Sequence, residues 1–153
     1  EVENANEVTR LAEGNYLKAL NIIEEEGDSA LFFDNFRELM RSCYKPSIPE
    51  IIKHAENLSA LTREKQKSFL EYGLRTIREC MALHFEEGDI QFFAQKESKF
   101  TRDFSPFVNG ANVVGLTNEL NYAIRDIERN GNGRIIFLDL GLKLSALIRQ
   151  TRN

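Results

Sequence analysis

The most constraining stretch of this chain runs from residue 112 to residue 149, where two apolar helices are predicted on either side of a short turn. In the first helix, apolar residues recur at steps of three and four, which places on one face Val113, Leu116, Leu120, Ala123, Ile124 and Ile127. The second helix, from Arg134, is apolar on almost every side, and its only polar line is Asp139, Lys143 and Gln150. Such a helix must be enclosed by other helices or by other chains.

The turn between these helices is predicted at Asn130-Gly131-Asn132-Gly133, because glycine and asparagine favour helix ends. A calcium-binding loop is the alternative, since the chain from Asp126 matches positions 1, 3, 5 and 6 of an EF-hand. Position 12 of that loop must be a bidentate glutamate, and here it is Phe137. The calcium cage would therefore be open, and Asn130, Gly131 and Asn132 are interpreted as a structural turn.

Upstream of this pair the sequence predicts five helices, separated by residues that commonly end or begin helices. Gly14 is predicted to end the first helix, Gly27 the second and Pro46 the third. Ser47 opens the fourth in a capping box, and the longest helix is predicted from Thr62 to Glu86. Asp28 is predicted to cap the N-terminus of the third helix.

Residues 90–111 are rich in phenylalanine and are predicted to form short helices that fold back on the core. The alternating leucines of residues 138–144 also fit the period of a strand. We reject the strand because no second strand is predicted to pair with it, and a lone strand is not stable. The predicted fold class is an all-α helical bundle.

The composition bounds the function without identifying it. The 153 residues are enough for one domain, or for one domain and a fragment of another. The net charge of -4 gives no general attraction to nucleic acid. Two cysteines and no signal-peptide pattern favour a cytoplasmic protein, and no apolar run approaches the roughly 18 residues that a membrane span needs.

Candidate chemistry is sparse. Cys80 and His84 lie four residues apart on one helix face, but Cys43 and His54 do not form the second close pair that zinc sites usually have. A core cysteine beside a helix histidine is the favoured interpretation. The sequence has no P-loop and frames no serine in a nucleophile elbow, so we expect no catalytic, cofactor-binding or metal-binding residues.

The long helix has basic residues that could contact phosphate. They are Arg63, Lys65, Lys67, Arg75 and Arg78, and glutamates interleave with them as on any solvated helix face. Weak contact with a nucleic-acid backbone therefore stays open as a minor alternative.

Two segments carry a family resemblance. Residues 11–20 resemble the Leu-Ala-x-Gly-x-x-x-x-Ala-Leu segment in the lid domain of AAA+ clamp-loader subunits. The end of the chain is similar to the C-terminal Asn-x-Asn turn and last helix of the delta prime family of bacterial DNA polymerase III, through Phe107-Val108, Asn112-Val113 and residues 130–134. With Arg63-Glu64-Lys65-Gln66-Lys67 included, the resemblance is strongest to members from Bacteroides-like bacteria and covers nearly the whole chain.

The resemblance implies a non-catalytic assembly domain in DNA replication. It divides the chain into residues 1–26, the end of a lid-type helical domain, and residues 27–153, a C-terminal collar domain. In that family the collar domains of five subunits pack side by side and hold the ATPase modules in a ring that loads the sliding clamp. The expected partners are the gamma/tau and delta subunits of the clamp loader, and DNA is reached only through the complex.

The resemblance also implies roles for individual residues. ATPase members of the family carry the sensor-2 arginine three residues after the lid glycine, where this chain has Leu17. Leucine cannot contact a γ-phosphate, which fits a subunit that does not hydrolyse ATP. The expected nucleotide-binding module would precede Glu1. The subunit interface is predicted on the last two helices, at Ile135, Phe137, Leu138, Leu142 and Leu147.

Two other functions remain open at this stage. A helical small-molecule-binding or regulatory interaction module would require a pocket with convergent polar groups. A small metal-dependent helical enzyme would require clustered ligands, which the sequence does not show.

Overall fold

The computed structural model describes residues 16–85 and 95–150, and within those ranges the chain is helical with no strand. Six α-helices follow one another: α1 (Tyr16–Tyr44), α2 (Ile48–Ser59), α3 (Arg63–Phe85), α4 (Gln95–Phe104), α5 (Val113–Glu128) and α6 (Gly133–Ile148). A 3-10 turn, Ser105–Phe107, follows α4. The predicted all-α fold is confirmed. The leucines of residues 138–144 lie inside α6, so the strand alternative is wrong.

The chain divides into two compact units, Glu1–Asp34 and Asn35–Asn153. The division falls inside α1. The boundary between residues 26 and 27 that the resemblance implies stays a prediction. The assignment of the first unit to a lid-type domain stays a prediction. The first predicted helix and the lid motif up to Asn15 lie outside the described residues.

The predicted helix end at Gly27 is wrong, because α1 continues from Tyr16 to Tyr44 without a break. A glycine inside a helix costs about 1 kcal/mol relative to alanine, which is too little to end a helix by itself. The three preceding glutamates are good helix formers, and no proline stands between residues 16 and 44. Asp28 consequently lies within the helix and does not cap one.

Gly27→Ala is expected to stabilise α1 by about 0.5–1 kcal/mol, because alanine removes conformational freedom from the unfolded chain. A Cβ atom at this position would meet nothing within 4 Å, and Gly27 does not need a positive φ. The measurement is helix content and thermal midpoint by circular dichroism. If Gly27 instead ended a helix in the left-handed conformation, the same substitution would lower both.

The core of the second unit forms where α2 packs along α6, α3 along α5, and α5 along α6. Its centre is aromatic: the Phe36 ring lies 6.4 Å from Phe69 and 6.1 Å from Tyr72, measured between ring centroids. The rings of Phe100 and Phe104 each lie 6.4 Å from Phe36 on the side of α4. The predicted packing role of these two phenylalanines is confirmed; Phe92 and Phe93 lie outside the described residues.

One fully buried polar side chain connects the 3-10 turn, α5 and α6. Asn112 is 0% exposed and stands immediately before α5. Its amide nitrogen donates to the Phe107 carbonyl at 2.8 Å and to the Leu147 carbonyl at 3.2 Å. Its amide oxygen accepts the Asn109 backbone N–H at 2.9 Å. A buried amide that loses a hydrogen-bond partner costs free energy, because no water replaces that partner. These three bonds therefore fix where the end of α6 meets the 3-10 turn.

Candidate interaction surface

The turn between the last two helices consists of a helix C-cap followed at once by a helix N-cap. Asn130 has φ 60°, the left-handed conformation that asparagine tolerates better than other non-glycine residues. The Gly131 N–H donates to the Asp126 carbonyl at 2.9 Å and the Asn130 N–H to the Ile127 carbonyl at 3.1 Å, which together form a Schellman motif. The Asn132 side chain then accepts the Ile135 N–H, capping α6.

Gly131 is required for close approach at this turn. A Cβ atom there would lie 2.9 Å from the Asp126 carbonyl oxygen and 2.8 Å from a methyl group of Ile136. The backbone oxygen cannot move aside without breaking the Schellman bond. Asn130, Gly131 and Asn132 therefore each have a distinct structural role, and Phe137, the twelfth residue of the rejected calcium loop, lies in the core at 2% exposure.

Side chains of α2 and α3 hold this turn in place. The guanidinium of Arg63 donates to the Gly131 carbonyl at 2.8 Å and to the Asn130 carbonyl at 3.4 Å. Arg134 pairs with Glu56 at 2.9 Å, and Lys67 pairs with Glu128 at 2.7 Å. The sequence presented Arg63 and Lys67 as members of a solvated basic face. In the structure Arg63 is bonded to the α5–α6 turn, and Lys67 is paired with the last residue of α5.

Helix α6 presents one apolar row to the core and a second one to the surface. The core row is Phe137, Leu140, Leu144 and Ile148, each at most 3% exposed. Phe137 packs against Phe69 with ring centroids 6.1 Å apart. The second row, which we call the outer row, consists of Ile135, Leu138 and Leu142, at spacings of three and four. Ile135 is 65% and Leu142 43% exposed, and Leu138 is half-buried.

The five predicted interface residues are therefore separated by the fold. Ile135, Leu138 and Leu142 share the outer row. Leu147 is half-buried, with its side chain against the Cα of Gly115 on α5. Phe137 lies in the core, so a partner cannot reach it. The sequence could not separate these residues, because a helix that is apolar all round carries no signal of which row faces inward.

Ion pairs border the outer row. Lys143 lies 2.8 Å from Asp139 on the same helix and 3.5 Å from Glu119 on α5. The Arg134–Glu56 pair lies at the other end, at the start of α6. These pairs are exposed and contribute little to stability. Their arrangement resembles the polar rim that surrounds the apolar centre of a protein interface.

The two cysteines are both buried and have the properties of core residues. Burial raises the pKa of the Cys43 thiol and of the Cys80 thiol, in each case to about 12. The Cys43 thiol donates to the Gly141 carbonyl at 3.4 Å, and the Cys80 thiol faces the Thr101 carbonyl at 3.8 Å. Neither is a thiolate at neutral pH, and thiolate is the form that binds metal or attacks a substrate.

Both histidines make hydrogen-bonding contacts with neighbouring segments. Nε2 of His84 lies 2.9 Å from the Ser105 carbonyl oxygen and 2.8 Å from that of Val108, so its ring holds the 3-10 turn beside α3. Nε2 of His54 lies 3.1 Å from the hydroxyl of Ser42, and that hydroxyl donates to the Glu38 carbonyl. Burial lowers the pKa of His54. Ser42 is only 9% exposed, and its hydroxyl proton is donated to the Glu38 carbonyl.

Both thiols are expected to resist alkylation by iodoacetamide at pH 8, because each is buried and protonated until the second unit opens. The rate should rise with urea in parallel with unfolding. Because the folded pKa values exceed the ordinary value of 9.0, the thiols favour the folded state up to about pH 9, and this contribution is lost as the pH rises toward 12. Alkylation of either thiol within minutes in native buffer would contradict the burial.

Within the described ranges no group of three or more histidine, cysteine, aspartate or glutamate side chains is placed to hold a metal ion. The helices of those ranges include none with the length and hydropathy of a membrane span. Comparison with known proteins finds no matching family model, no matching curated protein and no matching solved structure.

Proposed function

We propose that this chain is a non-catalytic assembly module of a bacterial clamp loader, of the delta prime kind, that packs against other subunits of the loader through the outer row of α6. The observation that carries the proposal is the exposed apolar outer row on a helix whose position is fixed. The proposed partners are the gamma/tau and delta subunits, and DNA is contacted only through the assembled complex.

The energetics favour a partner for this row. Burying a leucine or isoleucine side chain contributes about 1.5–3 kcal/mol relative to leaving it in water. Scattered exposed apolar residues are ordinary on protein surfaces. Here Ile135, Leu138 and Leu142 lie in one line over two turns of one helix, which is the pattern that packs against another helix.

The α5–α6 turn makes the row rigid before binding. Arg63 on α3 donates to two carbonyls of the turn, and Asn112 holds the opposite end of α6 through the Leu147 carbonyl. A surface that is ordered in the free protein loses less entropy when a partner binds. The Asn-x-Asn turn of the delta prime resemblance is thus the element that positions the proposed interface.

The resemblance supports the kind of assembly. Leu17, at the position of the sensor-2 arginine in ATPase members, is 71% exposed near the start of α1. A leucine there supplies no charge to a nucleotide, in keeping with a subunit that does not hydrolyse ATP. The proposal accordingly assigns this chain a structural role and leaves ATP hydrolysis to its partners.

The combined substitution Ile135→Gln and Leu142→Gln is expected to weaken binding to the ATPase clamp-loader subunit of the same organism at least tenfold. Truncation of central interface residues costs 1–2 kcal/mol or more each, while glutamine preserves helix propensity. Isothermal titration measures the affinity. The matched control is Val114→Gln on α5, which is 66% exposed and outside the outer row. Equal affinities for wild type, double variant and control would exclude the outer row as the interface.

A further inference from the structure

A second surface lies on the unit Asn35–Asn153, away from the outer row. It is a groove of about 800 Å³ where the C-terminal ends of α1 and α6 meet the 3-10 turn. Its apolar wall consists of Tyr44, Pro46, Pro106, Phe107 and Ile148. A neighbouring cleft of about 430 Å³ shares Tyr44, Lys45 and Phe107 with it. The volume lies in the range of ligand-binding sites.

The aromatic wall is exposed but well held. The rings of Tyr44 and Phe107 contact each other edge to face, with centroids 4.7 Å apart, and Tyr44 remains 48% exposed. The Phe107 carbonyl is fixed by Asn112 and the neighbouring carbonyls by His84. Two prolines further restrict the backbone of the wall. The groove is therefore formed before any ligand arrives.

The charges at the groove have one sign. Lys45 and Arg149 line it, and no aspartate or glutamate is among the described residues that line it, although the chain as a whole carries -4. The described residues contain no ion pair to either cation; Arg149 uses its Nε to donate to the Ser145 carbonyl. The C-terminal ends of α1, α3 and α6 lie at the groove, and each is equivalent to roughly half a negative charge. Together they amount to about -1.5, which is smaller in magnitude than the +2 of Lys45 and Arg149.

We propose that this groove binds an acidic peptide segment of another protein, with one large apolar side chain packed against Tyr44 and Phe107 and carboxylates beside Lys45 and Arg149. The apolar wall requires a side chain to bury, and the two cations select carboxylates around it. A nucleic-acid strand fits less well, because its phosphates repeat at every nucleotide, whereas Lys45 and Arg149 are separated by an apolar wall and the adjoining cleft places Asp103 beside Arg41. A peptide can alternate charged and apolar residues along the same path.

The test uses three fluorescently labelled, end-blocked peptides of equal length and measures binding to the whole chain by anisotropy. One alternates aspartate with phenylalanine, the second replaces each aspartate with lysine, and the third replaces each phenylalanine with alanine. The first is expected to bind at least tenfold more tightly than either of the others. Lys45→Glu and Tyr44→Ala should each weaken it about tenfold, whereas Lys53→Glu, on the exposed side of α2, should not.

Nuclear magnetic resonance identifies where the peptide binds: the first peptide should shift the signals of Tyr44, Phe107 and Ile148. Circular dichroism verifies that the variants remain folded, which is expected because Lys45 and Tyr44 are both exposed. Equal binding of the aspartate and lysine peptides would overturn the proposal. So would tighter binding of a thymidine oligonucleotide that is lost in the same variants.

Discussion

Asn112→Asp is expected to destabilise the second unit by about 3 kcal/mol at pH 7, a substantial fraction of the roughly 5–15 kcal/mol by which folded proteins are stable. The substitution keeps the shape of the side chain but removes both hydrogens that it donates. The Phe107 and Leu147 carbonyls lose their bonds at 2.8 and 3.2 Å. A carboxylate that is fully buried then faces two carbonyl oxygens, which is unfavourable in both desolvation and charge.

Urea unfolding measures this effect, and its pH dependence identifies the cause. Burial and the facing carbonyl oxygens should raise the pKa of the new carboxyl group, so the variant is more stable at pH 5 than at pH 7 relative to wild type. The matched control is Asn121→Asp on the exposed face of α5, which should change the free energy of unfolding by less than about 0.5 kcal/mol. A loss below 1 kcal/mol at position 112 would show that its hydrogen bonds do not hold α6.

Gly141→Ala is expected to destabilise the second unit by about 2 kcal/mol, although the same change in an exposed helix is stabilising. A Cβ atom at this position would lie 2.7 Å from the Cγ2 methyl of Ile51, where α2 crosses α6. Ile51 is 1% exposed and stiff at its first torsion, so the methyl cannot turn away. The helices would have to separate, which weakens the Cys43–Gly141 hydrogen bond as well.

A double-mutant cycle isolates this contact. Ile51→Ala removes the clashing methyl and costs about 2–4 kcal/mol alone through the cavity that it leaves. Combined with Gly141→Ala, the total loss should fall short of the sum by at least 1 kcal/mol. Gly110→Ala is the control, since a Cβ atom there meets nothing within 4 Å. Strict additivity of the two losses would mean that α2 and α6 do not approach as closely as the structure places them.

The contact between Gly141 and Ile51 also shows what the sequence could and could not predict. Periodicity and end signals were sufficient for the α5–α6 pair and for the turn at residues 130–132, because these depend on local patterns. Which row of α6 is buried depends on α2, almost a hundred residues earlier, and on a close approach at a glycine. No local pattern encodes that, so the sequence predicts Phe137 at the interface, whereas in the structure Phe137 packs against Phe69.

A local signal also gave a wrong prediction inside the long helix α1. Gly27 after three glutamates predicted a helix end, but helix propensity on both sides carries α1 through it. The roles of Arg63 and Asn112 were missed for the opposite reason. A basic residue on a charged helix face and an asparagine before a helix are ordinary in sequence. Their hydrogen bonds to the Gly131 and Leu147 carbonyls appear only when distant segments meet.

The most direct test of assembly through α6 is light scattering after size exclusion, on this chain alone and mixed with the full-length ATPase clamp-loader subunit of the same organism. A stable mixed species of defined stoichiometry is expected for the wild-type chain, and its loss is expected in the Ile135→Gln and Leu142→Gln variant. Two separate peaks at tens of micromolar for the wild-type mixture would contradict the assembly role.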